Sequence, residues 1–364
     1  MKILMTSHRF APDVGGIEIQ SELLARNFTE MGHQVLVVTQ TPLSSSKSID
    51  SFPFAVERLP SFLKLATLYR WADVVLQVNI ELRTLWPALC FHKPFVISTC
   101  TWISDANGKM RTVDRLKRFI LRRATASIAI SEAIRSESCS SSVVVGNPFR
   151  SDQFQYLHDL NRTRALVFVG RLVSDKGVDL LLKAFSILFS DTSLLSHVKS
   201  SGCELALTLI GDGPELSSLT RLAMELGIGD NVCFAGSLLG EDLVRCLNQH
   251  CVMAVPSRWA EPFGIVALEG AACGCIVVGS DGGGLPDAIG EGGFLFKSGC
   301  VQDLAATLRN VLTLPIEEVS RLRELSAAHL QQHTEHQVAA SYLSVLEKAV
   351  SLYPSKDTSF GAIH

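Results

Sequence analysis

Short apolar runs alternate with amphipathic stretches along the whole chain. KILMTS (2–7) reads as a strand, and IEIQSELLARNFTEMG (17–32) as a helix stopped by Gly32. HQVLVVT (33–39), DVVLQVN (73–79), PFVIST (94–99), ASIAI (126–130) and SVVVG (142–146) read as strands. Rich in Val and Ile, these runs are apolar on both faces, as parallel strands buried between helix layers are. The pattern pauses over 147–163, where no period stands out. It restarts with ALVFVG (165–170), the helix GVDLLLKAFSILF (177–189), then ELALTLIG (204–211), VCFAG (232–236), CVMAVP (251–256), CIVVGS (275–280) and GFLF (293–296). Segment 190–203 is polar and reads as a surface loop, residues 301–352 read as helical, and the tail YPSKDTSFGAIH reads as frayed. Two βα series joined by a linker predict an α/β protein of two Rossmann-like, doubly wound domains facing a cleft. The expected domains are 1–148 and 149–334, followed by a helix over 335–352.

Composition narrows the class. A chain of 364 residues suits two domains better than one core. With 47% hydrophobic and 19% charged residues it is no disordered chain. No apolar run approaches the roughly 18 residues of a membrane span, and MKILMTSHRFAPD has too short an apolar core for a signal peptide. Ten cysteines lie scattered without CxxC pairs or Cys/His ligand spacing, which points to reduced thiols in a cytoplasmic protein and away from structural zinc. Residues 1–148 carry 17 Lys+Arg against 12 Asp+Glu, whereas 149–364 carry 16 against 24. A basic first half suits an anionic membrane or acceptor, although so modest an excess also stands without either.

Four motifs fall at strand ends, where doubly wound sheets bind ligands. PDVGGIE (12–18) sets Gly15 and Gly16 before a helix, a place for a phosphate or simply a tight turn; it is not GxGxxG. GRLVSDKGVDLL (170–181) sets Arg171 and Lys176 five residues apart, a fork and a point charge that suit a diphosphate unless both are merely solvated. LIGDGPEL (209–216), with Gly211, is a plain turn or the wall of a nucleotide pocket. EPFGIVALEG (261–270) carries Glu261 and Glu269, with Pro262 as the expected first helical residue. On one helix the two carboxylates stand about 80° and about 12 Å apart. That exceeds the roughly 5–9.5 Å of a glycosidase acid/base pair and excludes one shared metal. They read as two grips on one long ligand, or as a capping and an ordinary helical glutamate.

Together with GSDGGGLPDAI (279–289), these motifs resemble the retaining nucleotide-sugar glycosyltransferases of glycosyltransferase family 4, which have the GT-B fold. The resemblance is strongest over 165–296, fair over 1–40 and weak between 45 and 125. It implies that Arg171 and Lys176 hold the donor's diphosphate and stabilise the leaving nucleotide, with Gly15 and Gly16 at the same phosphates. Glu261 then takes a donor-sugar hydroxyl, helped by Phe263, Gly264 and Ile265 at the helix start, while an ionised Glu269 takes the ribose and Gly211 lines the nucleotide. Retention in such families is explained by same-face attack, with no protein nucleophile, cofactor or metal; no DxD or GxSxG occurs here. By analogy with the fold, helix 335–352 crosses back onto the first domain. Two positions depart from the family pattern: Cys100 or Thr101 stands where a histidine is common, and Gly270 where alanine is usual.

On the acceptor side, the expected residues are His8, Cys100, Thr101 and Trp102, of which His8 and Trp102 read equally as structural. GKMRTVDRLKRFILRRA (108–124) reads as a basic amphipathic helix, either a solvated domain helix or a peripheral contact with an anionic inner membrane face. The function implied is transfer of a sugar to a saccharide or lipid-linked acceptor in cell-surface polysaccharide or glycoconjugate synthesis, with no nucleic-acid partner. Two competitors share the donor site: a UDP-sugar 2-epimerase, which would epimerise donor without acceptor, and a non-catalytic nucleotide-sugar-binding protein.

Overall fold

The computed structural model describes residues 1–13, 15–42, 52–104 and 111–353. The tail beyond residue 353 and residues 108–110 of the basic segment lie outside the described residues. The chain divides into two compact units: Met1–Val145 with the segment from Val338, and Gly146–Gln337.

In the first unit the order is β1 (Lys2–Ser7), α1 (Gly16–Glu30), β2 (Gln34–Thr39), β3 (Ala55–Arg58), α2 (Phe62–Trp71), β4 (Val74–Val78), α3 (Leu82–Cys90), β5 (Phe95–Thr99), α4 (Thr112–Leu121), β6 (Ala126–Ala129), α5 (Glu132–Ser138) and β7 (Val143–Val144). Its strands form a seven-stranded parallel sheet, β3-β2-β1-β4-β5-β6-β7. The short, partly exposed β3 escaped the sequence reading because Ala-Val-Glu-Arg lacks the doubly apolar signature of the inner strands.

The starts of α2, α3 and α4 are fixed by side chains that accept otherwise unpaired N–H groups. Ser61 caps α2 through Lys64 N (3.3 Å), and Glu81 caps α3 through Arg83 N (3.3 Å). Asp114, fully buried, takes Arg111 N at 2.9 Å and so fixes α4. The inner faces of α2, α3 and α4 share one apolar cluster, in which Leu65, Tyr69, Leu85 and Ile120 meet Val75 and Ile97 of the sheet. These three helices therefore form one layer. Most of α14 (Glu335–Ser351) also belongs to this unit, where the buried Tyr342 hydroxyl bonds Ser98 (2.8 Å) and Gln20 (3.0 Å).

In the second unit come β8 (Arg164–Val169), α6 (Val178–Phe189), α7 (Thr192–Ser200), β9 (Glu204–Ile210), α8 (Leu216–Glu225), β10 (Val232–Gly236), α9 (Gly240–Asn248), β11 (His250–Val255), α10 (Ile265–Ala272), β12 (Ile276–Ser280), α11 (Leu285–Ile289), β13 (Phe294–Phe296), α12 (Val301–Leu312) and α13 (Ile316–Gln331). The six-stranded parallel sheet runs β10-β9-β8-β11-β12-β13. Segment 190–203, expected as a loop, contains α7. Asp191 caps it through Ser193 N (3.0 Å) and Leu194 N (3.1 Å), while Leu194 and Val198, four apart, bury its inner face.

Both sheets share the strand order third-second-first-fourth-fifth-sixth, to which the first sheet adds β7, with the order reversing between the first and fourth strands. Sheets of this order bind ligands beyond the carboxyl ends there. Those points are β1/β4 in the first unit and β8/β11 in the second.

Gly270, in α10, has a structural reason for departing from alanine. A Cβ there would overlap Sδ of the fully buried Met253 in β11. Gly270→Ala is expected to lower stability by about 1–3 kcal/mol through overpacking. The loss should shrink when Met253→Val is added, as read from urea unfolding of the two single variants and the double; additive effects would show that the contact does not matter.

Candidate functional site

Two loops leave the carboxyl ends of β8 and β11 at the second sheet's switch point, and backbone contacts lock them together. The N–H groups of Arg258 and Trp259 both donate to the Asp175 carbonyl, at 2.9 and 3.2 Å. Arg258 then grips Asp179, in the first turn of α6, through two bonds of 2.5 and 2.7 Å. Burial pushes the Asp179 carboxyl up, but these bonds outweigh it and hold the group below its usual range. The loop after β8 is also stitched to the turn after β9. Leu172 N donates to Asp212 O at 2.9 Å, and any side chain at Gly211 would overlap the Gly170 carbonyl.

This frame brings Lys176 and Glu261 together. Lys176 Nζ lies 2.5 Å from Glu261 Oε1, and the Ser257 hydroxyl donates to the same oxygen at 2.8 Å, leaving Oε2 outside both bonds. Glu261 is buried. Its backbone is held as firmly: Gly284 N donates to Glu261 O at 2.7 Å, and Gly283, at φ 66°, packs where any side chain would overlap the Ala260–Glu261 backbone. The glycine run 282–284 therefore shapes the seat of Glu261. Arg171 sits exposed in the Lys176 loop. Gly283 and Gly284 lie in the stretch 279–289 that carried part of the resemblance, but neither they nor Ser257 were given a site role from sequence. Ser257 does stand four residues before Glu261, but only the fold aims its hydroxyl.

The helix expected to open at Pro262 begins instead at Ile265. Gly264 precedes it with φ 112°, because the Leu285 side chain fills the space a Cβ would need. Glu261 thus lies outside the helix, and the helical angle and rise computed between the two glutamates do not apply. No side chain caps α10, so its first N–H groups remain available near Phe263, Gly264 and Ile265. Phe263 is buried, its ring 5.4 Å from that of His333, and only its backbone can serve a ligand.

Glu269, half-buried in the second turn of α10, differs from the ionised acceptor expected. Burial pushes its carboxyl up from 4.5 to about 7, against the pull of Arg150. Near neutral pH it is therefore partly protonated and able to donate as well as accept.

In the first unit, Gly15 precedes α1 in extended conformation, and no side chain caps that helix. The Glu18 carboxylate folds back over Gly15, so an anion approaching there must displace it. At the switch point of the first sheet, His8 Nδ1 stands 3.5 Å from Glu81 Oε2. Cys100 is buried, its Sγ 3.7 Å from Ser98 O and its thiol pushed up to about 11 by burial, so little of it faces a ligand. Thr101 and Trp102 are half-buried.

On α4, Val113, Leu116 and Phe119 are 43%, 45% and 51% exposed. Some of its cations have internal work: Arg118 meets Glu137 at 2.6 Å, Arg111 pairs with Asp114 at 3.3 Å, and Arg123 lies over the Phe119 ring. A cavity of about 450 Å³ lined by Cys203, Cys251 and Arg323 lies at the opposite, amino edge of the second sheet, away from the Lys176–Glu261 pair.

Residues 150–328 match the model of the family Glycosyl transferases group 1. The phosphatidylinositol N-acetylglucosaminyltransferase gpi3 subunit of Schizosaccharomyces pombe is 22% identical over 386 aligned positions, covering 96% of this chain and 80% of its own length. The D-inositol 3-phosphate glycosyltransferase of Mycolicibacterium smegmatis is 34% identical over 195 residues, 53% of this chain and 42% of that relative. Among solved structures, Anabaena HepE in complex with UDP superposes with a TM-score of 0.76 at 19% identity, covering 96% of this chain and 100% of that one. Sucrose-phosphate synthase from Thermosynechococcus elongatus gives 0.74 at 19% identity, covering 96% and 99%. The fold is GT-B.

The raised Glu269 carboxyl has a signed consequence. Between about pH 4.5 and 7 the folded state holds the proton more tightly than the unfolded chain, so stability falls as pH rises through that window. Glu269→Gln is expected to flatten this fall in Tm measured from pH 4.5 to 7.5 without ligand. An unchanged slope would contradict the burial of this carboxyl.

Proposed function

We propose, from the match of residues 150–328 to the model of the family Glycosyl transferases group 1, that the protein transfers a sugar, with retention and without a metal, from a nucleoside-diphosphate sugar to an acceptor. The observation that carries this reading is the Lys176–Glu261–Ser257 constellation at the carboxyl end of the second sheet's switch point. Glu261 Oε2 accepts a hydroxyl of the donor sugar, while the N–H groups at the mouth of α10 complete that grip. Lys176, positioned by Glu261, bridges to the diphosphate, and exposed Arg171 adds a fork to the same phosphates. Glu269 serves the ribose hydroxyls. The uncapped start of α1, at Gly15 and Gly16, offers further N–H groups to an anion once Glu18 turns aside.

Catalysis is then electrostatic. The bond between the anomeric carbon and the β-phosphate oxygen breaks as the acceptor oxygen bonds to the same face of that carbon. The acceptor's proton passes to the departing phosphate oxygen, whose charge Lys176 and Arg171 stabilise. UDP-sugars are the first donors to try, since HepE was crystallised with UDP. A phospholipid acceptor is favoured by the name of the gpi3 subunit. Among the described residues no helix is long and apolar enough to cross a membrane; the exposed apolar stripe of α4, with Arg115, Lys117 and Arg122 beside it, is proposed to rest on an anionic bilayer.

A panel of nucleotide-sugars read by thermal shift identifies the donor. With it, Glu269→Ala should weaken binding of the free nucleotide and of the whole donor alike, whereas Glu261→Ala should weaken the whole donor more than the free nucleotide, which loses only the positioning of Lys176; equal losses for the two ligands in Glu261→Ala would overturn this division. Lys176→Ala should lower kcat about 10²–10³-fold, and the product's anomeric proton coupling should report the donor's configuration. Sedimentation with anionic vesicles should be strong at low salt, fade with added salt and weaken in Leu116→Ser; salt-insensitive or absent sedimentation would overturn the membrane contact.

A further inference from the structure

We propose that the groove between α2 and α3 binds an anionic lipid acceptor, its hydrocarbon chain on Phe62 and Trp86 and its phosphate on Arg83. The word acceptor rests on the transfer reading above; the groove and its ligand do not. The cavity, of about 440 Å³, lies at the carboxyl edge of the first sheet: Gln40 follows β2, Pro60 follows β3 and Leu82 follows β4. The β1/β4 switch point, where His8 meets Glu81, adjoins it, and Glu81 is the residue that caps α3. A ligand seated here would thus hold its reactive head at the edge where this class of sheet binds substrates.

Its lining selects the ligand. Pro60, Phe62, Leu65, Leu82 and Trp86 are apolar, and the rings of Phe62 and Trp86 lie 5.3 Å apart. A free saccharide needs hydrogen-bond partners along its length, and this wall supplies almost none. Phe62 is 72% and the adjoining Leu63 83% exposed, so the groove opens onto an apolar lip. The polar groups are the Gln40 amide and Arg83. Arg83 is exposed, and its guanidinium makes no ion pair or hydrogen bond among the described residues. An unpaired guanidinium fork beside an apolar slot complements a phosphate carried on an acyl or prenyl chain. The same helix layer also presents Val113, Leu116 and Phe119 of α4, which suits a ligand that resides in a bilayer.

The test uses the full chain and a short-chain phosphatidic acid with a bromine on one acyl chain. Saturable quenching of tryptophan fluorescence is expected, lost in Trp86→Phe and in Phe62→Asp. The matching brominated diacylglycerol should bind at least tenfold more weakly, Arg83→Gln should reduce phosphatidic acid to that level, and inorganic phosphate should not compete. Equal affinity for both lipids, quenching that survives Trp86→Phe, competition by inorganic phosphate, or a dimer that Phe62→Asp dissociates would each overturn the proposal. Nucleotide-sugar binding, read by thermal shift on the same samples, separates the two ideas. Lipid binding without donor binding would overturn the transfer reading alone, and donor binding without lipid binding would overturn the groove alone.

Discussion

A buried carboxylate needs a partner, and at the carboxyl end of the second sheet that carboxylate is Glu261. A carboxylate taken out of water without a counter-charge is costly, and a partly buried ion pair offsets that cost. Lys176 supplies that charge from 85 residues earlier in the chain, and Ser257 adds a hydrogen bond to the same oxygen. Both loops must therefore stay where they are. Backbone contacts from Asp175 to residues 258 and 259, and from Gly283 and Gly284 to Glu261, keep them there. A site held in this way is preorganised, which is what an electrostatic catalyst requires.

The ion pair also tempers the charge presented to a ligand. Lys176 alone would attract any anion. Paired with Glu261, it presents an ammonium beside a carboxylate oxygen that neither Lys176 nor Ser257 holds. Glu269 differs, since a carboxyl raised to about 7 can donate as well as accept a hydrogen bond. The two glutamates are thus unlike in environment, although they sit eight residues apart in one motif.

Much of this was legible in the sequence. Strands buried on both faces announce themselves as Val/Ile runs, which is why the two parallel sheets were expected, while β3, short and at an edge, was not. Helix α7 was hidden by its polar letters, although Asp191 and the Leu194–Val198 spacing carried the signal. The start of α10 was misplaced because Pro262 looks like a first helical residue, and only the packing of Leu285 shows that Gly264 turns the chain first. Lys176 and Glu261 were visible as charged residue types, but their pairing is a tertiary fact. The shift of Glu269 and the burial of Cys100 depend on surroundings that no short motif encodes.

The first unit's layer of α2, α3 and α4 carries the exposed apolar side chains, and the second unit carries the paired charges. Backbone hydrogen exchange on the full chain, with and without a nucleotide-sugar found by the donor panel, tests the assignment of the donor site most directly. Protection concentrated in residues 170–177, 257–269 and 281–284 is the predicted result. Protection centred instead on the Cys203–Cys251 cavity at the amino edge of the second sheet, or none at the carboxyl edge, would contradict it.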